Sequence, residues 1–239
     1  MGKKFSYLIL GVLFLAALYA CSLYNYLLFH SIAEIFSVVI AGAIFVIAWN
    51  TRQYLSNSFL LFLGIAYLFI GGLDLIHTLS YKGIAIFGGY KADLATQLWI
   101  AARFLESLSI LSAFVFLERK FRVRSVFLLY TAIFTLLILS IFYWRLFPAC
   151  FVEGEGLTPF KKISEYIISF FLLCSAGLLV VYREKFGGNV IRWIMGSIGF
   201  SIASELAFTA YAAGYDLPNL LGDYFRILSF WGIYQALLG

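Results

Sequence analysis

Residues 58–80 read SFLLFLGIAYLFIGGLDLIHTLS. A helix of about 20 apolar residues crosses the hydrocarbon of a bilayer, and this stretch is long enough. It reads as helix rather than strand because in lipid each backbone N–H and C=O must be satisfied within its own segment. Working outward, the same pattern recurs at 5–23, 27–49, 93–117, 125–147, 162–182, 189–212 and 217–238. The breaks are short and polar or Gly-rich: 50–57, 83–91, 118–124, 148–159, 183–188 and 214–218. Pro159 ahead of Lys161, and Pro218, suit helix starts, where a missing N–H costs nothing. Gly71-Gly72 marks a point where the span over 58–80 could bend. The fold class expected is all-α: a polytopic transmembrane helix bundle of about eight spans. It forms a single integral-membrane domain over 1–239, with no linker for a second domain and no internal repeat.

Composition agrees. The chain is 63% hydrophobic and 12% charged, with a mean hydropathy of +0.96. A soluble domain is about 25% charged, so lipid is the solvent this sequence suits. The net charge of +5 is no nucleic-acid signature, because the basic residues fall in short loops, where they set topology. One set of loops holds Lys3, Lys4, Arg52, Arg119, Lys120, Arg122, Arg124, Arg183, Lys185 and Arg192; the opposite set holds Lys82, Lys91, Arg145, Lys161 and Lys162. The richer set should be cytoplasmic, which puts both termini inside and requires an even number of spans. Lys3-Lys4 before an apolar run, and the Leu18-Tyr19-Ala20-Cys21 box, also resemble a cleaved signal or lipoprotein segment. Tyr19 fits that box poorly, so a retained first helix is expected. Cys21, Cys150 and Cys174 have no metal spacing and are not expected to bridge; Cys174 reads as core.

The informative residues are the ionisable ones inside the spans: His30, Glu34, Asp74, His77, Arg103, Glu106, Glu165, Glu205, Asp223 and Arg226. Each costs at least about 2.5–3.5 kcal/mol at the bilayer centre unless it faces the bundle interior. Counted from the helix ends, all lie in the outer half or near the midplane. This asymmetry predicts a polar pocket opening outward. Stripes at helical spacing support convergence: His30, Glu34, Ser37 and Ala41; Tyr67, Gly71, Asp74, His77 and Tyr81; Ser197, Ser201 and Glu205; Asn219, Gly222, Asp223 and Arg226. Gly196 and Ala203 suit close packing of the seventh span.

Three readings stay open. In the first, the arginines pair with carboxylates and hold the bundle together. In the second, His30, Glu34, Asp74 and His77 bind a metal. Two nitrogens and two oxygens suit zinc or iron, and His30 and His77 are also candidate axial ligands of a haem. In the third, an organic ligand is clamped by Arg103 or Arg226 against Tyr67 or Trp99. The candidate ligand-binding set is thus His30, Glu34, Asp74, His77, Arg103, Glu106, Glu205 and Arg226. Enzyme motifs are lacking: no nucleophile elbow, no phosphate loop and no His-Glu-x-x-His. A metal-dependent intramembrane hydrolase and a small-molecule transporter are the alternatives.

Longer segments carry a resemblance. They are 29–37 (FHSIAEIFS), 71–81 (GGLDLIHTLSY), 99–107 (WIAARFLES), 142–145 (FYWR), 150–154 (CFVEG), 157–161 (LTPFK) and 203–208 (ASELAF). Together they resemble the third class of the bacterial membrane-associated sensor (MASE) domains over nearly the whole chain. The resemblance implies a sensory input module in the bacterial inner membrane. Such a module relays a signal to a cytoplasmic output domain, a histidine kinase or diguanylate cyclase, in full-length proteins. Because such outputs work as dimers, a homodimer is expected. This sequence stops at Gly239 without output motifs, and so reads as a fragment or a lone sensor. No ligand follows from the resemblance.

Overall fold

The computed structural model describes residues 2–54 (side chains from Ile9 onward), 58–84, 86–87, 92–210 and 217–238. Lys91, the side chains of Lys3 and Lys4, and residues 55–57 and 214–216 of the breaks lie outside the described residues.

The described residues form eight α-helices: α1 Gly2–Tyr24, α2 Tyr26–Thr51, α3 Phe59–Ser80, α4 Asp93–Ala113, α5 Val123–Ile138, α6 Pro159–Val181, α7 Gly188–Thr209 and α8 Leu217–Leu238. A 3-10 turn extends α4 through Phe116, and a π-helical turn extends α5 through Tyr143. Six helices, α2 to α7, are long and apolar enough to cross a membrane; the apolar part of α1 that is described, Ile9–Tyr24, is shorter. Helix α8 matches them in length, but its inward face carries Asn219, Asp223, Arg226 and Ser229.

Local chemistry sets the boundaries. Only Asn25 separates α1 from α2, and its side chain caps α2 by accepting from Leu28 N at 3.1 Å. Thr158 caps α6 by accepting from Lys161 N at 3.2 Å, with Pro159 at the first helical position. Between α5 and α6, β1 (Phe151–Val152) pairs antiparallel with β2 (Gly156–Leu157). Gly154 and Gly156 take φ of +89° and +87° there, a region open to glycine without strain. By sequence alone 148–159 is a plain break. Strands of two residues have no periodicity to detect.

Helices α2, α3, α4, α6, α7 and α8 form a closed ring, each packed on the next and α8 on α2; α1 lies outside against α2, and α5 outside against α3. Only Val126 and Tyr130 of α5 itself are buried, whereas Leu128, Leu129 and Leu136 are exposed. Such a leucine face suits lipid.

Small residues bring the ring helices together. A Cβ on Gly64 would stand 2.2 Å from Ala48 Cβ, and one on Gly71 2.8 Å from Ala41 Cβ. Helix α3 therefore runs unbroken through Gly71-Gly72, and Gly71 serves packing rather than a bend. Between α7 and α8 the close approach is at Gly232, whose Cβ would meet Ser197 Cβ at 2.9 Å. At Gly196, proposed above for this role, a Cβ would meet nothing within 4 Å. Cys21, Cys150 and Cys174 are free thiols, and Cys174 is half-buried rather than core.

Candidate functional site: a buried charge network at one end of the ring

Helices α2, α4, α6 and α8 begin, and α3 and α7 end, at the side that carries the β-hairpin. The tie between hairpin and helix is direct. Asp93 Oδ1, at the start of α4, accepts from Cys150 N and Phe151 N, both at 2.7 Å. Seven of the eight residues of the candidate ligand-binding set lie in the hairpin half of the ring or at its middle, Glu106 lies just past the middle of α4, and none is more than 5% exposed. Apart from Glu106, the buried polar side chains among the described residues in the other half of the ring are serines such as Ser109, Ser175 and Ser197.

Asp74 of α3 is the hub. Both its oxygens accept from Arg103 Nη2 of α4 at 2.8 Å, and Arg226 Nη2 of α8 pairs with it at 2.7 Å. Arg103 also pairs with Glu106, one turn on. Tyr67 OH donates to Glu106 Oε1 at 2.8 Å. Arg226 Nη1 donates to Glu34 Oε1 of α2 at 2.5 Å. The two guanidiniums share aromatic walls: their Cζ atoms lie 5.0 and 4.4 Å from the ring centre of Trp99, and each lies 5.5 Å from that of Phe230. The network thus joins α2, α3, α4 and α8, with like charges separated by carboxylates and ring faces. Pairing of this kind makes buried charge tolerable, because desolvation otherwise costs several kcal/mol per ion.

His30 and His77 stand beside this network. His30 Nδ1 lies 3.0 Å from Asp223 Oδ2 of α8, an oxygen that also accepts from Tyr26 OH at 3.4 Å. His77 Nδ1 lies 2.7 Å from Ala95 O of α4. The two imidazole centres are 5.9 Å apart, edge to face. His30, Glu34 and His77 each offer a ligand atom, and these atoms all lie within 4.8 Å of one another. His30 Nε2, Glu34 Oε2 and His77 Nε2 are buried with no hydrogen-bond partner among the described residues. Leaving such a group unsatisfied costs about 1–3 kcal/mol. Asp74, expected as a fourth metal ligand, does not join them. It is taken up by two arginines, which satisfy a carboxylate more fully than an imidazole pair would.

Glu205 of α7 stands apart. Its Oε2 has no hydrogen-bond partner among the described residues, and it interacts electrostatically with Arg103, Lys161 and Glu165. Near it, Lys161 and Glu165 form a second buried pair on α6. Lys161 Nζ donates to Phe208 O at 2.9 Å, and Thr209 Oγ1 to Glu165 Oε2 at 3.0 Å. Lys161, a loop charge by sequence, is 3% exposed. Its Glu165 partner at i+4 was the available signal. Asp223, a span residue by sequence and outside the candidate set, fixes His30.

Tyr67 and Trp99, expected as walls for an organic ligand, are buried at 0% and 5% exposure and pack against the network itself. A cavity of about 520 Å³ lies elsewhere, outside the ring between α4 and α5, and is lined by apolar residues including Phe104, Leu108, Leu137 and Phe147. At the opposite end of the bundle, exposed Lys185 pairs with Glu118 at 2.9 Å. That hydrogen bond holds the Glu118 carboxyl below its ordinary range.

The family model for the membrane-associated sensor domain MASE3 matches residues 21–239. No curated protein and no solved structure matches the chain.

Proposed function

The chain belongs to the MASE3 family of membrane-associated sensor domains, and from that premise we propose that it is a sensory input domain of a bacterial inner membrane. In this reading it crosses the membrane eight times with both termini in the cytoplasm. A ligand or ion reaching the hairpin end from outside binds within the charge network. The response passes along α8 to a cytoplasmic output domain, a kinase or diguanylate cyclase, with the chain acting as a homodimer.

One observation carries the proposal. Asp223 and Arg226, both on the last helix, hold His30, Glu34 and Asp74 of α2 and α3. Whatever alters those contacts changes how α8 is seated. A ligand shifts an equilibrium between two packings only through its differential affinity for them, and a network shared by α8 with two other helices supplies such a difference. The orientation rests on the loops at the end opposite the hairpin, which hold Arg119, Lys120, Arg122, Arg124, Arg183 and Lys185, and on the bias of basic residues toward the cytoplasm. The family also favours a sensor over an intramembrane hydrolase or a transporter.

The test uses spin labels at exposed Leu238 of α8 and exposed Val181 of α6, with the protein in lipid nanodiscs. The distance distribution should shift in Asp223→Asn relative to the unsubstituted network. Identical distributions in folded protein would refute the relay. Fluorescent-protein and alkaline-phosphatase fusions after α8 test the orientation; phosphatase activity there would overturn it.

A further inference from the structure

We propose that His30, Glu34 and His77 bind one divalent transition-metal ion of the zinc or ferrous class, and that this ion is what the domain responds to. The second half rests on the sensory reading above; the first does not.

The donor set is built for a metal in three respects. First, the three atoms without hydrogen-bond partners, His30 Nε2, Glu34 Oε2 and His77 Nε2, belong to the three residues whose ligand atoms cluster within 4.8 Å. One shared cation satisfies all three. Second, the far nitrogen of each imidazole is held. A carbonyl only accepts, so His77 Nδ1 donates to Ala95 O, and in the neutral ring Nε2 presents its lone pair. Asp223 does the same for His30. A carboxylate or carbonyl behind each ring is the usual support of a metal-bound histidine. Third, Glu34 is steadied by Arg226 through Oε1, which leaves Oε2 for the ion.

The chemistry narrows the ion. Two nitrogens and one oxygen suit zinc with a fourth position open, or ferrous iron. Calcium and magnesium require oxygen-rich shells. A haem between the imidazoles would have to occupy the space in which the Glu34 carboxylate converges with them.

Binding explains how a signal could start. Metal–ligand bonds are about 2.0–2.2 Å long, so donors spread over as much as 4.8 Å draw inward on an ion. His30 then pulls on Asp223, and Glu34 on Arg226, both of α8. His30 lies one turn from the start of α2 and His77 one turn from the end of α3, so an ion from outside has a short way to travel.

The test strips the detergent-solubilised full chain with a chelator and titrates it with Co²⁺ as a visible probe, then with Zn²⁺ in competition. One Co²⁺ should bind per chain, displaced by Zn²⁺, with affinity at least tenfold weaker in Glu34→Gln. His77→Cys should keep binding and add a sulfur-to-cobalt charge-transfer band absent from the wild type. That band is a positive signature even if other variants fold poorly. Folded protein that takes up neither ion, or that binds equally well in Glu34→Gln and shows no new band in His77→Cys, would overturn the site. If no metal binds yet Asp223→Asn still moves α8, the relay stands without the metal. If Co²⁺ binds and the Leu238–Val181 distance does not change, the ion is structural and the claim that the domain responds to it falls.

Discussion

The guanidinium of Arg226 stands 2.5 Å from Glu34 Oε1, across 192 positions of sequence, and ties the last helix to α2. The same side chain pairs with Asp74 of α3. Removing it while the carboxylates remain leaves two buried negative charges short of a partner. Breaking a buried pair from one side costs about 3–5 kcal/mol. Arg226→Met should therefore lower stability by about that amount in denaturant unfolding in mixed micelles. Arg226→Lys should lose less, because it keeps the charge but not the two-pronged geometry. If Arg226→Met is as stable as wild type, the pairing is not what holds α8.

The interface between α2 and α3 depends on having no side chain at Gly64. A Cβ there would fall 2.2 Å from that of Ala48, and neither atom can rotate away. The helices would have to separate, at about 1–3 kcal/mol for overpacking of this kind. Gly64→Ala should show this loss in thermal unfolding, and adding Ala48→Gly should recover most of it. A double variant no better than the single one would mean that the helices do not approach here.

Helices were legible because lipid imposes a plain requirement, long apolar stretches, that sequence displays openly. The convergence of polar residues at one end was legible for a similar reason: each had to face inward, and its depth follows from counting turns. Partnership was not. Asp74 carries the same carboxylate as Glu34, and only the positions of Arg103 and Arg226 make it a hub rather than a ligand. Lys161 looked like a loop cation because hydropathy does not reveal that the first turn of α6 is roofed by Phe208. Gly196 and Gly232 are indistinguishable as letters; which one meets a neighbouring helix depends on rotation about the axis. The hairpin at 151–157 is held by tertiary contacts with Asp93, and so left no local signature.

Tyr67 is fully buried, and its hydroxyl donates to Glu106 Oε1 at 2.8 Å. The other oxygen of Glu106 faces Arg103. Tyr67→Phe keeps the ring and its packing against Phe230 but removes that donor. A hydrogen bond to a charged group is worth about 1.5–3 kcal/mol, and the loss should appear in the same unfolding assay. In Glu106→Gln the acceptor is weaker, so the further effect of Tyr67→Phe should shrink. Full additivity of the two substitutions would show that they are not coupled.

Asp93 offers the most local prediction, since it lies at the helix start and ties the hairpin down. One oxygen accepts from two successive backbone amides, Cys150 N and Phe151 N, both at 2.7 Å. Gln97, one turn further along α4, donates to Phe147 O and Pro148 O at 3.1 Å. The hairpin has only two residues per strand, too few to persist on its own pairing, so its order draws on α4 and on Thr158, whose N and Oγ1 donate to Cys150 O at 3.1 Å and Ala149 O at 2.8 Å. Asp93→Ala should leave both amides without their acceptor and raise hydrogen–deuterium exchange at 150–151 by at least tenfold, with exchange in the middle of α3 unchanged. Asp93→Asn retains an acceptor oxygen and should fall between the two. Slow exchange at 150–151 in Asp93→Ala would mean that the hairpin is ordered by something other than this carboxylate.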